Sequence, residues 1–387
     1  MQGFARNHLK VLHIIIGLNV GGAEMMLKRL VESHLAYPAY RHVVVSLMDM
    51  GTLGPQLQAM GVEVYSLGIR SIFSIPQVLW RLVKLIRASQ PDIVQTWMYH
   101  ADLLGGLAAH IAGNRHVIWG IRTTDIRAAG SSVTLIVRWL CARLSKWVPQ
   151  VIVCAAEASR QSHIDVGYES KKMLVVPNGY DFSWLKASVE ERQALREQCG
   201  ITQSQIVVGS LGRFHAVKDQ ENFVRAAGLL ATKYPQLRFV MVGRDLDWDN
   251  AQLVRWIDRT GWKDHFTLLG ERKDVPQCLA AMDIFCLHSR TEGFPNVLAE
   301  AMAMGLPCIT THVGDAAMLL DDAGVVVPKE NSMALAQGVE RLLALDQDAR
   351  HALGMRAKAR VEAEFSMARA RERFEAIYRQ VLNKEAL

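Results

Sequence analysis

Short apolar runs bounded by glycine, proline and polar clusters alternate along the chain with stretches whose apolar residues recur every three to four positions. That is the pattern of buried strands separated by amphipathic helices. In the first half, strands are predicted at residues 11–16, 42–47, 62–67, 93–96, 117–120, 151–155 and 173–176. Helical spacing between them predicts helices over 25–34, around 55–60, and over 76–89, 101–111 and 131–148. Such alternation specifies a parallel sheet covered on both faces, with ligands held outside the carboxyl ends of its strands.

The pattern then pauses and restarts. Pro177-Asn178-Gly179 closes the first series, and a charged helical stretch follows, with Ser188 and Glu191 spaced as a capping box and Gly200 as its stop. Strands are predicted again at 206–211, 239–243, 266–269, 284–287, 308–311 and 324–327, with helices from Asn222, over 296–304, over 332–345, and over 349–382 with breaks. The reading is α/β: two Rossmann-like doubly wound domains, residues 1–180 and 181–365, followed by a helical segment at 366–387.

Composition agrees and narrows the partners. A chain of 387 residues exceeds what one core usually serves, and half of it is hydrophobic. No apolar run reaches the ~18 residues of a spanning helix, and the first ten residues lack the apolar core of a signal peptide, so a cytoplasmic protein is expected. Six scattered cysteines form no C-x-x-C pair and read as reduced, mostly buried small hydrophobes. Charge is uneven: residues 1–180 hold 18 Lys and Arg against 10 Asp and Glu, the remainder 26 against 28. No zinc-finger, RNA-recognition or basic-zipper pattern accompanies the basic half, which disfavours nucleic acid as its partner.

Candidate chemistry concentrates after the strand at 284–287. Gly293 and Pro295 break the pattern and helical spacing resumes at Asn296, with Pro295 suited to a first helical turn. The amide groups of Gly293, Phe294, Asn296 and Val297 and the positive end of the helix dipole make a place for a phosphate. Glu292 on the lip and Glu300 one turn inside are acceptor-only groups suited to sugar hydroxyls, so the motif points to a sugar nucleotide. Gly212 and Arg213, with Lys218 five residues on, put two cations around a turn that starts with glycine, an arrangement for a diphosphate. Gly21 and Gly22, between the first strand and helix, permit close backbone approach, although their spacing is not the dinucleotide fingerprint. His100 either faces the ligand cleft or caps the following helix. Arg122 suits an anion and Asp125 a hydroxyl, or the two form a local ion pair. Asp245 and Asp247 read as a polar turn after a strand, and no metal is expected.

The stretch Glu292-Gly-Phe-Pro-Asn-Val-Leu-Ala-Glu300-Ala-Met-Ala-Met-Gly-Leu-Pro307, together with Gly212-Arg213, Lys218-Asp219 and Gly21-Gly22-Ala-Glu24, resembles the retaining family 4 glycosyltransferases of GT-B fold. The resemblance implies two domains facing across a cleft and a final helix crossing back onto the first domain. It also implies that Glu292 meets the donor sugar, Glu300 the ribose, and Arg213 and Lys218 the pyrophosphate, with Arg272 in the segment beside the base. Many relatives carry a histidine where this chain has Arg122. The expected function is retaining, metal-independent transfer from a nucleotide-diphosphate sugar to a glycan or lipid-linked acceptor in cell-surface polysaccharide synthesis, without a cofactor. A sugar-nucleotide epimerase and a non-catalytic sugar-nucleotide-binding subunit are the competing readings. Helices 76–89 and 131–148 set Arg and Lys beside Trp, so the basic half is expected to touch an anionic surface on the inner face of the cytoplasmic membrane.

Overall fold

The computed structural model describes residues 8–69, 71–123 and 132–383. The chain divides into two compact units, Met1–Tyr180 with Met367–Leu387, and Asp181–Ser366. The first unit alternates β1 (Leu9–Ile15), α1 (Gly22–His34), β2 (Tyr40–Ser46), α2 (Leu53–Ala59), β3 (Glu63–Ser66), α3 (Ile75–Ser89), β4 (Ile93–Trp97), α4 (Tyr99–Ala112), β5 (Val117–Ile121), α5 (Ser132–Leu144), β6 (Val151–Cys154), α6 (Glu157–Ile164) and β7 (Met173–Val175). Its strands lie in the order β3-β2-β1-β4-β5-β6-β7, every pairing parallel. The helix expected over 131–148 ends at Leu144, leaving Lys146 and Trp147 beyond it. α6 escapes the sequence pattern because its buried side chains are the polar Ser159 and His163.

The second unit alternates α7 (Val189–Gln198), β8 (Ile206–Leu211), α8 (Gln220–Lys233), β9 (Leu237–Val242), α9 (Ala251–Asp258), β10 (Phe266–Leu268), α10 (Val275–Ala280), β11 (Ile284–Leu287), α11 (Asn296–Ala303), β12 (Cys308–Thr311), α12 (Ala316–Leu320), β13 (Gly324–Val327), α13 (Ser332–Leu343) and α14 (Gln347–Phe365). Its order is β10-β9-β8-β11-β12-β13, again parallel throughout. The capping box forms at α7: the Glu191 amide donates to Ser188 Oγ (3.2 Å) and the Ser188 amide to Glu191 Oε2 (2.8 Å).

At Ser366 the backbone turns extended and α15 (Met367–Asn383) returns to the first unit. Phe374, Ile377, Tyr378 and Val381 bury against β1 and α1, and the Tyr378 hydroxyl donates to Gln95 Oε1 on β4 at 2.6 Å. In each sheet the strand order reverses once, between β1 and β4 and between β8 and β11. Such a switch point opens a crevice at the strands' carboxyl ends, so each unit has one place where a ligand is expected.

Candidate active site

In the second unit the segments leaving β8 and β11 flank the switch point, and they carry Gly212 to Asp219 and His288 to Glu292. Gly243 sets the path of the first: at φ +146 it lies so close that a Cβ there would fall 2.2 Å from the Gly212 carbonyl oxygen. A short turn, Ala216–Lys218, then ends on Asp219 in the left-handed conformation at φ 55. Lys218 Nζ reaches Glu292 Oε1 at 2.6 Å, with side chains 22% and 11% exposed. The Ser289 hydroxyl donates to the same oxygen, also at 2.6 Å.

Two residues after β11, His288 and Arg290, hold the lysine turn. The His288 imidazole donates from Nδ1 to the Lys218 carbonyl oxygen (2.6 Å), since a carbonyl can only accept. Burial lowers the His288 pKa to about 4, so the ring is neutral at pH 7. The Arg290 amide donates to the Val217 carbonyl oxygen (2.8 Å), and its guanidinium pairs with Asp219 Oδ1 (2.8 Å) and Glu330 Oε1 (3.3 Å). Thr311 on β12 donates to the Ser289 carbonyl oxygen at 2.7 Å. None of these holding residues stood out in the sequence.

Glu292 and Gly293 lead into α11, but Pro295 is the residue before the helix, at φ −82 and ψ 92, and not its first turn. The residue before it, Phe294, packs partly on the core, its ring 5.4 Å from that of Phe365. Asn296 is exposed, Val297 packs partly on the core, and the partly exposed Glu300 lies on the second turn. Gly314 backs this loop: at φ +48, a Cβ there would stand 2.2 Å from the Glu292 carbonyl oxygen, and the next amide, Asp315, donates to the Gly293 carbonyl oxygen. Arg213 is exposed, its carbonyl oxygen held by Gln220 Nε2 at 2.9 Å. Arg272 instead grips Asp274, its Nε 2.8 Å from Oδ1. Asp245 is exposed and Asp247 accepts from the Asp249 amide (3.1 Å), and among the described residues no cluster of His, Cys, Asp or Glu could hold a metal.

In the first unit Gly21 and Gly22 follow β1 and His100 follows β4, so all three flank that unit's switch point. Gly21 is the extended residue before α1. A Cβ on it would lie 2.4 Å from Glu24 Oε2, so the half-buried Glu24 carboxylate folds back over the glycine. Burial raises the pKa of Glu24. α4 begins at Tyr99 behind Met98, so the His100 imidazole does not cap the helix. Burial lowers its pKa, which favours the uncharged ring. Arg122 turns inward: its guanidinium lies 5.2 Å from the Trp97 ring and 5.5 Å from that of Phe374, and donates to the Val176 carbonyl oxygen (3.0 Å) and Asn178 Oδ1 (3.1 Å). It therefore fastens the end of β5 to α15, and burial lowers its pKa to about 10. Asp125 lies outside the described residues. Two residues on in α4, Asp102 is fully buried and accepts from Thr96 Oγ1 (2.5 Å) and the Gly120 amide (3.4 Å), its Oδ2 without a partner among the described residues.

Two family models match the chain: Glycosyltransferase Family 4 over residues 20–184 and Glycosyl transferases group 1 over 205–345. A galactosyltransferase of Escherichia coli, UDP-Gal:alpha-D-GlcNAc-diphosphoundecaprenol alpha-1,3-galactosyltransferase, is 28% identical over 60% of this chain, and the match spans 60% of that relative's own length. The capsular polysaccharide biosynthesis glycosyltransferase CapM of Staphylococcus aureus is 22% identical over 81% of this chain and 83% of its own. Among solved structures, HepE of Anabaena in complex with UDP superposes with a TM-score of 0.80 at 22% identity, covering 96% of this chain and 100% of that one.

Proposed function

Because the chain belongs to the family 4, or group 1, glycosyltransferases of GT-B fold, we propose that it moves a sugar from a uridine-diphosphate sugar onto a lipid-linked glycan acceptor during polysaccharide assembly. The observation that carries the reading is the Lys218–Glu292 contact of 2.6 Å at the second sheet's switch point, beside the start of α11. A cation for the diphosphate and a carboxylate for sugar hydroxyls stand together where a nucleotide sugar would be split. The donor class is supported by the Anabaena structures titled with UDP and UDP-glucose, and the acceptor class by the diphosphoundecaprenol in the E. coli relative's name.

In this mechanism the bond from the sugar's anomeric carbon to the diphosphate oxygen breaks. Lys218, Arg213 and the positive end of the α11 dipole stabilise the charge that grows on the leaving group. The acceptor hydroxyl attacks from the same face, giving retention, and its proton passes to the departing phosphate oxygen. Glu292 orients the sugar and Glu300 the ribose. Two cations and a helix terminus supply the stabilisation a metal would otherwise give, so no metal takes part.

We place the acceptor at an anionic membrane surface. On α3, Val78, Leu82, Val83 and Ile86 face the core, leaving Trp80 62% exposed, and Phe73 just before the helix is 88% exposed. On α5 only Cys141 and Ala142 are buried, while Val133, Ile136 and Trp139 face outward and Trp147 beyond it is 70% exposed. Lys84 and Arg143 lie over the rings of Trp80 and Trp139, each at 5.4 Å. Residues 64–156 contain ten Lys and Arg but three acids. Apolar rings set among cations match an anionic lipid interface.

Incubation with a panel of nucleotide sugars and a polyprenyl-diphosphate glycan tests the transfer: a glycosylated acceptor is expected, unchanged by EDTA. An isomerised donor would establish an epimerase, and binding without turnover a sensor. Vesicle flotation tests the surface: binding to anionic lipid should fade with salt and drop in an Arg81→Gln, Lys84→Gln, Arg87→Gln variant. Equal failure on neutral and anionic vesicles would refute the membrane contact.

A further inference from the structure

We infer that Ser289 is a positioning residue for sugar transfer: its hydroxyl and the Lys218 ammonium together claim one oxygen of Glu292 and leave the other to the donor sugar. Both contacts are 2.6 Å and both end on Oε1. Among the described residues Oε2 has no partner. A carboxylate tied at one oxygen from two directions has lost the freedom to rotate about its last bond, so Oε2 presents its lone pairs along a fixed line. Ser289 is itself 1% exposed, with its carbonyl oxygen taken by Thr311 Oγ1 and its neighbours bonded to the lysine turn through His288 and Arg290. The hydroxyl therefore stands on a rigid support, as a group meant to hold another in place must. Lys218 gives one N–H to Glu292 and keeps two for a diphosphate oxygen, so the Ser289 hydroxyl is the donor that stays on the carboxylate alone.

The proposal rests on reading Glu292 as the sugar-binding carboxylate. It gives Ser289 no contact with substrate, so its effect should appear in turnover and not in donor affinity. Ser289→Ala, measured in the full chain with the nucleotide sugar and acceptor that the parent uses, should lower kcat roughly ten- to a hundredfold, the scale of one hydrogen bond to a charged group, with donor KM within about threefold of the parent. Ser289→Thr, which returns a hydroxyl, should recover most of the loss. Thermal melting of both variants monitors the fold. A Ser289→Ala protein with parent kcat overturns the proposal and leaves the transferase reading intact, as does a loss that tracks a lowered melting point or that Ser289→Thr fails to recover. No turnover of any nucleotide sugar by the parent chain overturns both.

Discussion

Asp102 carries a pH dependence that can be worked from its surroundings. Burial raises its pKa from 3.8 to about 7, against the opposing effect of the Thr96 and Gly120 hydrogen bonds. The folded protein therefore holds the proton over a range in which the unfolded chain has released it. Stability that this group leaves intact below pH 3.8 is lost progressively as pH rises towards 7, at about 1.4 kcal/mol per pH unit, and the loss is flat above it. Asp102→Asn removes the charge and with it this slope. Between pH 5 and pH 8 the stability of the variant should rise relative to the parent by about 3 kcal/mol. An unpartnered side-chain amide in place of Oδ2 costs about 1–3 kcal/mol at every pH, so it displaces the difference without tilting it. His13, lowered to about 3 by burial, costs stability as pH falls below 6.5, but it does so in both proteins and cancels. Urea unfolding of parent and variant at half-unit steps, read at the transition of the first unit, measures the difference. Parallel profiles across pH 5 to 8 would refute the buried-charge argument.

Three further outcomes follow from the second unit. Glu300→Ala should weaken donor binding while Glu292→Ala mainly slows turnover, because ribose contacts belong to the ground state and the sugar's position matters most as its bond breaks; isothermal titration with the nucleoside diphosphate separates them. Gly314→Ala should lower stability by at least about 2 kcal/mol and turnover with it, since φ +48 is left-handed and the new Cβ would press on the Glu292 carbonyl oxygen, as a melting curve with an activity assay will show. Lys218→Arg should lose roughly a hundredfold in kcat despite keeping its charge, and activity within threefold of the parent would count against the geometry of the site.

The strand and helix alternation was legible because each buried run is continuous in sequence, and so were the two glycine turns and the motif around Glu292. What escaped depends on contacts between distant segments. Ser289, His288 and Arg290 matter through partners that include a turn about seventy residues earlier, and Gly243 and Gly314 through backbone that a Cβ would strike. Arg122 shows the same limit from the other side. Its place after a first-sheet strand suggested an anion site, but Phe374, some 250 residues later, returns on α15 and covers it. A cation sealed between two aromatic rings serves the fold. Pro295 suited a first helical turn by residue type, but residue type does not fix ψ, and at ψ 92 it stands as the extended residue before a helix that starts at Asn296.

The Lys218–Glu292 pair, side chains 22% and 11% exposed, would be costly to separate, since each partner would be left charged and partly stripped of water. A nucleotide sugar need not separate it. An ammonium has three N–H donors spread tetrahedrally, so one can stay on Glu292 Oε1 while the others turn to phosphate oxygens. The carboxylate, held at Oε1, still offers Oε2 to a sugar hydroxyl. In the proposed reaction the pair would bring leaving group and sugar to adjoining places without first being broken, the diphosphate favouring the charge of the ammonium and a donated sugar hydroxyl that of the carboxylate. A guanidinium in place of the ammonium would confine its donors to one plane, so a fork aligned with Glu292 would leave fewer of them free to turn elsewhere. The same reasoning explains the buried hydroxyl of Ser289: with the lysine shared between two anions, a second donor keeps the carboxylate from following it.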